Sequence, residues 1–304
     1  MRTLALVVLL IATHGYADER PNIVLIIADD VGFSDIGAFG SEIRTPNLDQ
    51  LAADGVRLTN YHAAPTCGPS RSMLLTGVDH HLAGAGINRA GLFRLPELRG
   101  RPGYEGYLND SVVTFATLLR DSGYHTYATG KWDPGTQPGQ LPFDHGFEKS
   151  FVLAAGGASH FDDMAGTTRP VAVVPYYEDD RKVEKLPEDF FSSEFYTDRI
   201  IDYIESNDDD APFLAYLSYT AAHWPLQVPD DWLDRYDDQY EEGWHEVRRA
   251  RFNRQKDAGV VPPHTQMSPE HPSVQNWDDL LPAQREVELK RMRIYAAMIE
   301  NLDR

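Results

Sequence analysis

Cysteine is almost missing from this chain: there is one, Cys67, among 304 residues. A single thiol excludes an internal disulfide framework and any zinc or iron–sulfur site built from several cysteines. Basic residues are scarce as well. Twenty-eight lysines and arginines stand against 47 aspartates and glutamates, a formal net charge of −19. So acidic a surface disfavours nucleic acid and anionic membranes, both of which need basic patches. An anionic small molecule would need a local cluster of positive groups. Long apolar runs are missing too: beyond the N-terminus none approaches the ~18 residues of a membrane span. No repeat of solenoid period is present.

The N-terminus carries the exception. In "MRTLALVVLLIATHGYADERPN", Arg2 precedes an apolar run over residues 4–12, and small residues at 15 and 17 follow. This order describes a signal peptide over residues 1–17, with a mature chain from Asp18 that is periplasmic or secreted. Export gives the lone cysteine meaning. In an oxidising compartment an unpaired thiol is a chance survivor, an intermolecular link or a chemically special group.

At 42% hydrophobic and 11% aromatic, the rest of the chain can build a core. Residues 21–30, "PNIVLIIADD", form a continuous apolar run ending in two acids, as expected of a parallel strand buried on both faces. A helix is expected after Thr45 as N-cap, with Leu48, Leu51 and Ala52 as its stripe and Gly55 as its stop. Residues 56–61 suit a second strand. "PSRSMLLTG" starts a helix at Pro69 that ends at Gly77. Another helix follows Asp110 or Ser111 and reaches Gly123, before a strand "YHTYATG". An amphipathic helix over 191–207 leads to a buried strand "APFLAYLSYT". Strands alternating with helices predict an α/β fold with a mostly parallel central sheet flanked by helices. Residues 84–106 and 229–272 read as loops laid over the sheet edge. A last helix starts at Pro282, and the sequence ends with no stop signal for it.

Asp29 and Asp30 fall at the carboxyl end of the first strand, where open α/β sheets hold their sites. Two adjacent carboxylates converge only where the chain bends, and they then invite a hard divalent cation; a solvated acidic turn is the plainer reading. In "TCGPSRSMLLTG", a helix starting at Pro69 would aim its free N–H groups back at Cys67, an arrangement that binds anions and lowers a thiol pKa. Arg71 adds a planar fork suited to a tetrahedral oxyanion.

These segments carry a resemblance. "CGPSRSMLLTG" matches the sulfatase signature Cys-x-Pro-Ser-Arg-x-x-x-Leu-Thr-Gly at every fixed position. "RPNIVLIIADDVGFSDIGAFG", "TPNLDQLAADGVRLTNYHAAPTC", "TGKW" and "YTAAHWPLQVP" resemble further segments of that family, in the same order. The resemblance covers the mature chain, and "HHLAGAG" and "GRPGYEGYLND" are most similar to bacterial arylsulfatases.

The resemblance implies that a separate formylglycine-generating enzyme oxidises Cys67 during export to Cα-formylglycine (3-oxoalanine), an aldehyde. One hydroxyl of its hydrate attacks the sulfur of a sulfate ester and displaces the alcohol; the other then loses its proton and expels sulfate. It also implies a calcium ion held by Asp29, Asp30 and the modified Cys67. Arg71 would hold the hydrate, Lys131 would neutralise the sulfate, and His223 would hydrogen-bond the sulfate or the leaving oxygen. The substrate would be an aryl sulfate or a similar ester of a small molecule or glycan.

Two departures stand out. Most members have histidine two residues after the lysine of "Gly-Lys-Trp"; here "TGKWDPG" gives Asp133 and then Pro134. A carboxylate can accept the same proton, but it sets a negative charge beside an anionic leaving group. His125 and His145 are near in sequence without occupying the motif position. Secondly, the family's remaining metal ligands and a second sulfate-binding lysine belong to segments that follow Arg304, so residues 18–304 read as the N-terminal part of a longer catalytic chain. Alternatives to sulfate-ester hydrolysis are a phosphate or phosphonate ester hydrolase of the same superfamily and a sulfate-ester binder with impaired catalysis.

Overall fold

The computed structural model describes residues 20–167 and 172–304, so the expected leader lies outside the described residues. The elements in chain order are β1 (Ile23–Ile27), α1 (Pro46–Asp54), α2 (Cys67–Thr76), α3 (Arg89–Arg94), α4 (Phe115–Asp121), β2 (His125–Lys131), β3 (Lys149–Leu153), β4 (Tyr176–Glu178), β5 (Arg181–Val183), α5 (Ser192–Glu205), β6 (Phe213–Ser218), α6 (Trp244–Asp257) and α7 (Pro282–Asp303). The strands form one sheet in the order β1-β6-β2-β3-β4-β5. The first four are parallel, and β4 and β5 add an antiparallel edge. The expected α/β fold with a mostly parallel, helix-flanked sheet is what forms.

Alternation along each strand sends neighbouring side chains to opposite faces. On β6, Ala215 and Leu217 join Tyr127, Phe151, Ile200 of α5 and Met298 of α7 in one apolar cluster. Leu214 and Tyr216 join Ala128, Val152, Leu75 of α2 and Ala116 of α4 in the other. Helices therefore cover both faces, as parallel sheets require.

Several boundaries differ from expectation. β1 is a parallel strand, but it lies at the sheet edge, and Val24 and Ile26 are 57% and 44% exposed; it is not buried on both faces. Residues 56–61 are not a strand: among the described residues no strand pairs with them, and Val56, Leu58 and Tyr61 are exposed. α2 begins at Cys67, two residues before Pro69. α4 is capped by Thr114, whose hydroxyl oxygen accepts the Thr117 N–H at 3.2 Å, and not by Asp110 or Ser111. The supposed loop 229–272 contains α6, a polar helix held by charge: Arg251 donates to Glu42 and Arg254 to the Gly40 carbonyl. The 84–106 stretch contains the short α3, capped by Asn88. Among the described residues no helix is long and apolar enough to cross a membrane.

Candidate active site

The carboxyl ends of β1, β6 and β2, three neighbouring parallel strands, deliver the candidate residues to one end of the sheet. Asp29 and Asp30 follow β1, Lys131 closes β2 with Asp133 just beyond, and the segment after β6 leads to His223. Cys67 arrives from a different layer, as the first residue of α2. β2 reaches its end only because Gly130 is a glycine: its φ is +97°, and a Cβ there would meet the Ser218 carbonyl oxygen at 1.9 Å.

Behind Cys67 lies a buried charge cluster. Asp29, Arg71 and Lys131 are 5%, 3% and 0% exposed. Asp29 Oδ2 takes the Lys131 ammonium in an ion pair and the Arg71 Nη2 at 3.3 Å. Arg71 Nη1 also donates to the Lys131 carbonyl at 3.0 Å and to Ser218. Burial alone would raise the Asp29 pKa, but Lys131 and Arg71 outweigh it and hold the carboxyl below its usual range. Burial likewise works against charge on Lys131, yet Asp133 and Asp29 keep its ammonium protonated above the usual lysine range. The Lys131 Nζ has no hydrogen bond of regular geometry, and it is not on the wall of the reaction cavity.

In front of this cluster, Cys67, Asp133 and His223 line a cavity of about 740 Å³. A larger one of about 910 Å³ lies against α6 and contains none of these residues, so the candidate residues gather at the smaller. Asp133 has a left-handed backbone (φ +75°) and a buried Oδ2 with no hydrogen-bond partner. Asp30 is also left-handed (φ +57°), which bends the chain just after Asp29. Its side chain is 65% exposed, with His223 Nε2 at 3.7 Å from Oδ2. His223 Nδ1 faces the Trp224 carbonyl at 2.6 Å; a carbonyl only accepts, so Nδ1 carries the proton and Nε2 is free to exchange one.

Burial pushes the Cys67 thiol up to about 11, with Asp133 adding to the shift and Lys131 opposing it. This reverses the expectation of a lowered thiol pKa at a helix start: desolvation and a neighbouring carboxylate win. As a plain thiol, Cys67 would be a poor nucleophile at neutral pH.

Asp29 and Asp30 are hard oxygen donors of the kind calcium takes, but two carboxylates fall short of its six to eight oxygens. Cys67 does not complete a trio. Among the described residues, the cluster of three acid, histidine or cysteine groups within 4.8 Å of one another is Asp79, His80 and His81, outside the cavity. By formal charge Asp29, Asp30 and Asp133 outnumber Arg71 and Lys131 by one, with His223 beside Asp30, so a cation here would be favoured.

His125 and His145 do not line the cavity. His125 sits at the far end of β2 between Glu148 and Asp209. Sequence reasoning passed over His160, which is fully buried. Its Nε2 donates to the His223 carbonyl at 3.0 Å, and its Nδ1 accepts from Ser192 at 2.7 Å. Burial holds its pKa down, which suits this neutral pairing. Gly157 was also missed: a Cβ there would lie 2.9 Å from His223 Cε1. Neither carries a motif; only the folded chain brings them to His223.

Known proteins resemble this chain in sequence and in fold. The sulfatase family model matches residues 21–304. An arylsulfatase of Klebsiella aerogenes is 41% identical over 295 residues, 95% of this chain and 61% of that protein. An uncharacterised sulfatase of Schizosaccharomyces pombe is 41% identical over 292 residues, 94% of this chain and 53% of its own length. A solved structure of Ps i-CgsB in complex with k-i-k-neocarrahexaose superposes with a TM-score of 0.64 at 26% identity, over 93% of this chain and 52% of that one. The chain thus spans between half and two thirds of the length of these relatives. Because the match runs along nearly the whole described chain and is not confined to the segment around Cys67, the chain belongs to the sulfatase family.

Proposed function

We propose that this chain provides the catalytic part of an exported sulfuric ester hydrolase, arylsulfatase-like, with Cys67 oxidised to formylglycine by a separate maturation enzyme. The observation that carries the reading is the position of Cys67: a lone, high-pKa thiol on a cavity wall, backed by two buried cations in a chain of net charge −19. Formylglycine would supply the nucleophilic oxygen that a neutral thiol does not. Arg71 and Lys131 act from behind Cys67: they offset Asp29 and Asp133, and with a divalent cation at Asp29 and Asp30 the site would turn net positive where the ester's negative charge must sit, in a buried place where such fields are strong. His223, as the imidazolium with both ring nitrogens protonated, would donate its Nε2 proton to the leaving alcohol oxygen as the bond breaks, leaving the neutral ring whose Nδ1–H the Trp224 carbonyl holds. Asp133 faces the nucleophile position and accepts the proton lost when sulfate is released. Asp29 and Asp30 would hold a calcium ion together with ligands from elsewhere, and that ion would polarise the ester oxygens.

Mass spectrometry of the peptide containing Cys67, from a host able to make formylglycine, should show the aldehyde, and Cys67→Ala should abolish sulfate-ester turnover. An unmodified thiol in an active protein would sink the reading. Asp133 favours a second reading. A buried carboxylate beside an anion site suits a sulfate-ester binder with weak catalysis, which predicts binding without turnover even when Cys67 is fully modified.

A further inference from the structure

The strongest unexplained feature beside the cavity is its basic wall. Four arginines, Arg89, Arg94, Arg99 and Arg101, fall within thirteen residues of a chain rich in acid. Acids outnumber bases by 47 to 28, and arginines elsewhere, such as Arg44, Arg199, Arg251 and Arg293, are paired with carboxylates. Among the described residues none of these four has a carboxylate within ion-pair distance. Arg89 is tied to the Thr136 hydroxyl and Arg99 to the Leu92 and Phe93 carbonyls, which orients them without neutralising them. Arg94 has no such anchor among the described residues. Arg89 and Arg94 line the reaction cavity with Phe93 and Trp224, two aromatic residues that are 60% and 61% exposed. A second cavity of about 390 Å³ continues on the other side of Arg89 and Phe93 and includes Arg99, with Glu105 as the acid on its wall.

Resting on the sulfate-ester reading above, we propose that the α3 segment is a second anion subsite, and that the substrate carries another acidic group, sulfate or carboxylate, beyond the ester that is cleaved. Unpaired guanidinium groups in an acidic protein keep their charge available for a ligand, and a planar fork matches either oxyanion. Phe93 and Trp224 offer flat apolar faces to the ring that joins the two anionic groups. A substrate of this kind, an acidic sulfated sugar chain, fills both cavities; a simple aryl sulfate fills only the first. The global negative field raises the value of the wall, because the second anion must be drawn in against it.

Equilibrium binding separates this proposal from the hydrolase reading. The full chain carrying Cys67→Ala, which cannot turn over, is titrated with a disaccharide bearing one sulfate, the same disaccharide with a second sulfate, and a third form with a uronate carboxylate in place of that sulfate. The added anion should tighten binding, and Arg94→Gln should reduce that advantage roughly tenfold. Arg99→Gln should reduce it as well, and both effects should shrink with salt. The ratio between the sulfate and carboxylate forms identifies the group preferred. Equal affinity for one and two anionic groups, or an unchanged ratio in Arg94→Gln, overturns the subsite. Absence of turnover in the wild type with an intact affinity ratio would instead sink only the hydrolase reading.

Discussion

Asp133 and Gly157 show how single side chains tune the site. Asp133 is held between two glycine backbones: a Cβ on Gly68 would sit 3.3 Å from its Oδ2, and one on Gly156 would sit 3.1 Å from its Oδ1. Its left-handed backbone is one that histidine also tolerates better than most residues. If Asp133 is a weak base for sulfate release, Asp133→His in the full-length enzyme should raise turnover by about 10²-fold. The parent should then show a burst of alcohol followed by slow release, and the variant should lose the burst. Equal or lower turnover in the variant, with no burst in the parent, would show that Asp133 is the fitted base. Gly157→Ala tests His223 from the other side. The added methyl would press on the imidazole, so kcat/KM should fall about tenfold by misplacement alone, while the melting temperature moves little. A large loss of stability with normal kinetics would contradict this assignment.

At the scale of elements, charge does work that apolar stripes do elsewhere. Glu42 receives Arg251 at 2.6 and 2.8 Å, Arg254 at 3.2 Å and the Tyr240 hydroxyl at 2.9 Å, and Arg251 also pairs with Asp35. Together these dock α6, whose polar sequence gives it little else. Burial would raise the Glu42 pKa, but the bonds from Arg251 outweigh it and hold the carboxyl below its ordinary 4.5. Glu42 therefore stabilises the fold above pH ~4.5, and that contribution is lost as pH falls through the lower folded value. Glu42→Gln should cost about 2 kcal/mol at neutral pH, less than a fully buried pair because Arg254 remains open to water. Melting curves across the acid range should show a shallower loss in the variant. Parallel curves would assign the docking of α6 to another contact.

For the molecule as a whole, the unsettled edge is β1. One of its sides has no strand partner among the described residues, and Val24 and Ile26 face outward from it. The same strand leads to Asp29 and Asp30, so the exposed edge and the two acids proposed for calcium lie together. With two carboxylates available, one of them engaged by Lys131 and Arg71, residues 20–304 alone should bind calcium weakly. A millimolar site at 1 mM calcium adds only about 0.4 kcal/mol. The melting temperature should therefore move by little more than about 1–2 °C, and a chelator should leave it unchanged. A rise of several degrees at micromolar calcium would show that these residues form a complete site.

Local chemistry made much of this protein legible from its residues alone. Apolar runs of strand length, helix stops such as Gly77 and the Cys67 segment mark the α/β order and the place of the proposed nucleophile, because these signals act within a few positions. Distant partners decided the rest. Thr45 stands at the start of α1 as expected, yet its side chain does not cap the helix; Asp303, 255 and 256 residues away, accepts the Leu48 and Asn47 N–H groups instead. Whether an apolar strand is central or at an edge depends on sheet order, and so β1 emerged half exposed. The Cys67 pKa rose because folding buries the thiol beside Asp133, overriding the helix start. The α3 arginines looked like ordinary loop charge until the fold set them on the cavity wall with no carboxylate in ion-pair distance among the described residues. Sequence fixes which groups a segment carries; solvent exclusion and the company of remote charges, which set their energies, exist only once the chain has folded.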